Sequence, residues 1–285
     1  MTDRSRWFVS TDWLAAHLAD PDVVILDGTW HLKASGRDAA AEYEAAHIPG
    51  AIYFDIDAVA DTANPLPHML PTAERFAEMV GGLGIGGGQR IVVYDSLGLY
   101  SAPRVWWTFR VMGSDNVVIL DGGLPKWRAE GHPVDSGRVI RPPRTFHATF
   151  DASAVSGLED VRANLASRAF QLVDARPAAR FRGEAPEPRP WLKSGRVPRS
   201  FNVPLTELVA DGRLKDDAAL RKAFTEGGVD LGKPIVTSCG SGVNAAGLSL
   251  ALDILGVKDS GLYDGSWTEW GARDDVPIEG GKPRA

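Results

Sequence analysis

An α/β architecture of two tandem domains, each a central parallel sheet flanked by helices, follows from three observations. Short apolar runs alternate with helical patterns along the chain, the order that produces parallel sheets covered on both faces. Four segments recur in the same order in the two halves of the sequence. Several helical patterns stop at glycine, the residue favoured where a helix ends.

The repeat organises everything else. "VVILDGTW" (Val23 to Trp30) resembles "FQLVDARP" (Phe170 to Pro177), and "AAHIPGAIYFD" (Ala45 to Asp55) resembles "SGRVPRSFNVP" (Ser194 to Pro204). "RIVVYDSLGLYSAPRVWWTFRVMG" (Arg90 to Gly113) matches "PIVTSCGSGVNAAGLSLALDILG" (Pro234 to Gly256), and "LDGGLPKWRAEGHPV" (Leu120 to Val134) matches "YDGSWTEWGARDDVPI" (Tyr263 to Ile278). The spacing drifts only from 147 residues (Asp27 to Asp174), through 144 (Ile91 to Ile235), to 143 (Trp127 to Trp270). Such collinearity implies duplication of a unit of about 130 residues, an ordinary domain size. The expected division is an N-terminal domain over 1–138, a linker over 139–155 and a C-terminal domain over 156–285. The Pro- and Arg-rich joint lacks helical periodicity and should lie across the surface, stiffened by its prolines. Helices are expected in "TAERFAEMVGGLG", "SAPRVWWTFRVMG", "DAALRKAFTEGG" and "NAAGLSLALDILG", around sheets of about five strands.

Composition narrows the function. The 285 residues are 44% hydrophobic and 24% charged, ordinary for a globular chain, with a net charge of −6. No Lys/Arg-rich run favours a nucleic acid or an anionic membrane as partner. The polar N-terminus lacks the apolar core of a signal peptide, and no apolar run approaches the roughly 18 residues that span a bilayer. A single cysteine cannot form an internal disulfide and fits a reducing compartment, so a cytoplasmic location is expected. The six histidines lack metal-ligand spacing, and neither metal nor cofactor is expected. "GLGIGG" (Gly82 to Gly87) precedes a strand, the reverse of the dinucleotide-binding order, and reads as a turn. Trp106, Trp107, Trp127, Trp267 and Trp270 read as packing residues.

The lone thiol, Cys239, falls where a strand ends and a helix begins, the place where open α/β sheets put their binding sites. The small residues that follow let the loop curl with its amides inward, a cradle for an anion beside a helix N-terminus. Such a field favours thiolate, the nucleophilic form; the alternative is an inert buried cysteine. The first copy has Asp95 at the equivalent position and no comparable glycine pattern, so it should be chemically silent. A cysteine phosphatase needs Arg six positions after the nucleophile, where this chain has Ala245. A papain-like peptidase is disfavoured because the last histidine is His147.

The duplicated unit, the silent first copy and "CGSGVNA" resemble the tandem-domain rhodanese family of sulfurtransferases, closest to the branch that uses 3-mercaptopyruvate. The likeness covers nearly the whole chain. It implies that Cys239 takes sulfur from 3-mercaptopyruvate as a persulfide, releases pyruvate, and passes the sulfur to cyanide, a small thiol or thioredoxin. Two other readings stay open: thiosulfate as donor, or a non-catalytic persulfide carrier or sensor. The resemblance assigns Gly240, Gly242, Val243 and Asn244 to the substrate loop. It places Arg180 and Arg189, in "DARPAARFRGEAPEPRPW", on the donor's carboxylate and keto oxygens; otherwise they belong to a solvated basic loop. It further implies a proton relay of Ser241, His68 and Asp57, the last two from "FDIDAVADTANPLPHMLP", which could instead simply order a Pro-rich connection. Asn244 departs from the family, which usually has Thr there.

Overall fold

The computed structural model describes residues 3–280. Residues 1–2 of the expected N-terminal domain and 281–285 of the C-terminal one therefore lie outside the described residues. In the N-terminal half, β1 (Phe8–Val9), β2 (Val23–Asp27), β3 (Ile52–Tyr53), β4 (Arg90–Tyr94) and β5 (Val117–Leu120) form a parallel sheet in the order β1-β5-β4-β2-β3. The C-terminal half supplies β6 (Val155–Ser156), β7 (Gln171–Asp174), β8 (Phe201–Asn202), a hairpin of β9 (Val209–Ala210) and β10 (Arg213–Leu214), β11 (Ile235–Ser238) and β12 (Ser260–Tyr263). Its sheet is also parallel, ordered β6-β12-β11-β7-β8. Matched by place in the order, the two sheets have the same topology, so the duplication visible in the sequence is a duplication of fold.

The central strands β2 and β4 are apolar runs buried along nearly their whole length, which is why their pattern is continuous rather than alternating. Five helices accompany the first sheet: α1 (Thr11–Ala16), α2 (Ala39–Ala45), α3 (Ala73–Gly82), α4 (Ala102–Val111) and α5 (Gly123–Ala129). The second half adds α6 (Leu158–Ser167), α7 (Ala178–Phe181), α8 (Leu205–Leu208), α9 (Asp217–Glu226), α10 (Ala245–Ile254) and α11 (Ser266–Trp270). Thr72 and Asp216 cap α3 and α9, their side chains accepting the N–H groups of Arg75 and Ala219. The five tryptophans singled out in the sequence are all buried.

The connection between the halves is tied down. The N–H groups of Arg144 and Asp151 donate to the carbonyls of Gly81 (2.9 Å) and Val111 (2.8 Å), and Phe146 is buried against Phe76 and Phe109. Val155, at its end, already pairs with Leu262 in the second sheet. The halves share one apolar core, in which α4 packs against α10. Helix α10 is buried on nearly every face, as expected for a helix apolar all round.

Candidate active site

The strand-to-helix loops of the two halves have the same frame and opposite contents. Tyr94 closes β4 as Ser238 closes β11, and α4 begins at Ala102 as α10 begins at Ala245. Asp95 therefore stands where Cys239 stands, and the first loop is one residue longer, which accounts for the last step in the repeat spacing. In the first loop the Asp95 carboxylate accepts four N–H groups: Leu97 (2.8 Å), Tyr100 (2.7 Å), Ser101 (2.9 Å) and Ala102 (2.8 Å). That cradle is filled by its own anion. In the second loop, among the described residues, no protein acceptor takes the N–H of Gly240, Ser241, Gly242, Val243 or Asn244. The donors stay available around a buried thiol, at 3% exposure.

Several residues invisible to sequence reasoning shape this loop. The Cys239 N–H donates to Ser266 Oγ (3.2 Å), and the Cys239 carbonyl accepts from Trp267 (3.1 Å). Ser266 is a non-glycine residue at φ +49°, where the first half has Gly123 at φ +55°. A left-handed backbone costs an L-residue about 1 kcal/mol, so a hydroxyl has been placed where the fold favours glycine. Gly242 (φ +79°) must be glycine, because a Cβ there would lie 2.7 Å from Nη1 of Arg104. Arg104, buried on α4, pairs with Asp264 (2.7 Å) and donates to the His68 carbonyl (2.5 Å). It thus ties the first half to the underside of the cysteine loop. Comparing the two repeats could have found Ser266; no local pattern marks Arg104.

Cys239 opens on a cavity of about 160 Å³ lined from both halves. Gly240, Ser241, Val243, Asn244, Arg180 and Arg189 line it with the thiol, and Trp30 and Tyr100 close it from the first half. Arg180 is held by Glu187, whose Oε2 accepts from its Nη2 (2.5 Å) while Oε1 accepts from Arg176 (2.8 Å). Arg176 is buried, doubly bonded to Asp174, and stacked over Trp267. Neither Glu187 nor Arg176 was legible as a support. Arg189 is different: among the described residues its guanidinium has no hydrogen bond and no carboxylate at ion-pair distance, and burial pulls its pKa below the ordinary arginine value. Arg182 turns away to pair with Glu184 at the surface. Burial first, then the nearby cysteine, pushes the Tyr100 phenol up, so it remains a donor; it meets the Asn244 side chain.

Asp57 and His68 come together beside the cleft. Nδ1 of His68 lies 2.6 Å from Oδ1 of Asp57, whose Oδ2 accepts from Trp30 Nε1 (3.0 Å). The carboxylate selects the Nδ1–H tautomer and leaves Nε2, buried and without a protein partner among the described residues, as an acceptor. Burial lowers the His68 pKa more than Asp57 raises it, and Arg104 and Arg189 add to the lowering, so the ring is neutral near pH 7. Burial opposes the charge on Asp57, but His68 and Trp30 outweigh it and hold the carboxyl below its usual range. His68 also sits at φ +61°, strain of the kind found at functional sites. Among the described residues no hydrogen bond joins Ser241 Oγ to His68; the structure assembles two of the three residues expected in the relay. No group of three or more His, Cys, Asp or Glu among the described residues could hold a metal ion.

Comparison with known proteins places this geometry. The rhodanese-like domain model matches residues 10–130 and again 157–273. The chain belongs to the rhodanese family. A 3-mercaptopyruvate sulfurtransferase of Escherichia coli K12 is 46% identical over 278 residues, covering 96% of this chain and 98% of that protein. A thiosulfate sulfurtransferase of Cricetulus griseus is 42% identical, covering 93% and 92%. The crystal structure of SseA from Escherichia coli, a 3-mercaptopyruvate sulfotransferase, superposes with a TM-score of 0.85 at 44% identity, covering 92% of this chain and 98% of that one. In this rhodanese the cradle, the thiol and the arginines all belong to the second domain, and the first contributes a wall.

Proposed function

We propose that the chain is a 3-mercaptopyruvate sulfurtransferase working through a persulfide on Cys239. The observation that carries this is the contrast between the two loops: one cradle closed on the Asp95 carboxylate, the other open around a sulfur. A persulfide anion at Cys239 would find in the free amides what Asp95 finds in the first loop. The Cys239 sulfur attacks the donor sulfur; an S–S bond forms, the donor's C–S bond breaks, and its electron pair leaves on the pyruvate enolate. The proton of the donor thiol ends on the enolate carbon, giving pyruvate. We assign its passage to neutral His68, oriented by Asp57, with Ser241 as the intermediate hydroxyl. In the second half-reaction an acceptor attacks the outer sulfur and restores the Cys239 thiolate: cyanide leaves as thiocyanate, and a small thiol or thioredoxin leaves as a persulfide.

Arg189, with no carboxylate of its own, and Arg180, aimed over Gly240, suit the carboxylate and keto oxygens of a small α-keto acid. We assign the chemistry to residues 156–285 and the supporting wall to 1–138, with 139–155 as the connection. No helix of the described residues is long and apolar enough to cross a membrane, and the single thiol suits a reducing, cytoplasmic setting. The test is a single turnover with 3-mercaptopyruvate. The protein should release about one pyruvate per chain, as one covalent site requires, and Cys239→Ser none. Release by Cys239→Ser at the native rate would refute the assignment, and no release from the native protein would leave only a carrier.

A further inference from the structure

Relatives named for different donors resemble this chain to a similar degree, so donor choice must be read from the cleft. The two donors differ in charge before they differ in shape. 3-Mercaptopyruvate brings one carboxylate charge, whereas thiosulfate is a dianion. Three guanidinium groups line the cavity, those of Arg176, Arg180 and Arg189. Two are already answered. Asp174 pairs with Arg176 at 2.7 Å, and Glu187 bridges Arg176 (2.8 Å) and Arg180 (2.5 Å). Two carboxylates against two guanidinium groups leave Arg189, among the described residues, as the cation in the wall with no carboxylate at ion-pair distance. The network is particular to the second half: in the first, Asp27 is met by Thr29, not by an arginine.

We propose that Glu187 is a specificity-determining residue, which by neutralising Arg180 sets the cleft for a monoanionic α-keto acid and against a dianion. The proposal rests on the sulfurtransferase reading and deepens it. Glu187 acts through Arg180 and touches no substrate: its side chain is 1% exposed and lies behind the cavity wall. A monoanion in the cleft is met by Arg189. The second charge of a dianion enters uncompensated, and charges are weakly screened there.

The experiment is Glu187→Gln, with kcat and KM measured for both donors. Removing one negative charge behind Arg180 should raise the ratio of thiosulfate to mercaptopyruvate kcat/KM by about tenfold or more, through KM for thiosulfate, since one charge pair at such range exceeds the 1.4 kcal/mol of a tenfold change. Glu187→Asp keeps the charge and should keep the native ratio even if both activities fall. Should the glutamine variant not fold, the native protein still decides: pyruvate and oxalate are planar and of similar size but differ by one charge. At matched ionic strength pyruvate should compete with the donor at lower concentration than oxalate. An unchanged donor ratio in a folded Glu187→Gln, or oxalate competing better than pyruvate in the native protein, overturns the proposal. Neither result touches the sulfurtransferase reading, which is tested separately by pyruvate release from the native protein and from Cys239→Ser.

Discussion

Ser266 and His68 show how single residues carry strain into the site. Ser266 occupies a backbone state that its repeat partner Gly123 adopts freely, and in return offers Oγ to the Cys239 N–H. Ser266→Ala keeps the strain and loses this bond together with the one Oγ donates to the Tyr263 carbonyl (2.8 Å), so it should be less stable by about 1–3 kcal/mol. Ser266→Gly also loses both bonds but relieves about 1 kcal/mol of strain, and should unfold in urea closer to the native midpoint. Both should turn over more slowly, since the cysteine amide is no longer held; native rates in both would show that the hydroxyl is only structural. His68 gives a pH signature. Its folded pKa lies below the ordinary 6.5, so the unfolded chain takes up the proton first as pH falls. Stability from neutral His68 is complete above that value and is lost as pH drops from 6.5 through the folded pKa, where Nε2 also stops accepting protons. Asp57, likewise lowered, holds its contribution down to the region of 3.8, losing it only below. A rate profile from pH 8 to pH 5 should therefore show an acid limb that His68→Gln flattens; an unchanged limb would remove His68 from the relay. Cys239 was legible as the lone thiol at a strand-to-helix turn, whereas Arg180 and Arg189 came only with the family resemblance, since an arginine in a charged loop reads as solvated. Glu187 was not, because a glutamate in a charged loop looks solvated until its burial is known.

The matched loops after β4 and β11 are the elements on which function divides. Asp95 is a fixed anion with four N–H partners, and it braces the stretch that brings Tyr100 into the cleft beside Asn244. Asp95→Ala would strand those donors in a buried loop at a cost of about 3–5 kcal/mol. Asp95→Asn, which keeps one acceptor oxygen, should lose clearly less. Equilibrium unfolding of the pair checks this, and equal, small losses would mean the cradle is not held by its anion. Strands and long helices were legible because their periodicity is set by burial on one or both faces. The hairpin β9–β10 was missed because two-residue strands carry no period. The contents of the silent loop were missed for another reason: the aspartate was recognised as the wrong nucleophile, but not as the occupant of the site.

Across the whole molecule, a chain written twice has kept one fold and specialised its halves. The first half no longer offers an open cradle but closes the cleft with Trp30 and Tyr100, and Arg104 braces the cysteine loop from beneath. Arg4 with Asp217, and Asp121 with Arg213, tie the halves elsewhere (2.7 and 2.6 Å). The duplication was legible because both copies kept their strand ends, whereas these contacts join residues about 90 to 210 positions apart and leave no local trace. All of it converges on one sulfur. The most direct measurement is the mass of the Cys239 peptide after one equivalent of 3-mercaptopyruvate, with pyruvate counted in the same sample. The account predicts one added sulfur atom on that peptide for each pyruvate released, and its removal by cyanide as thiocyanate. Pyruvate released with the Cys239 peptide never gaining mass would contradict it.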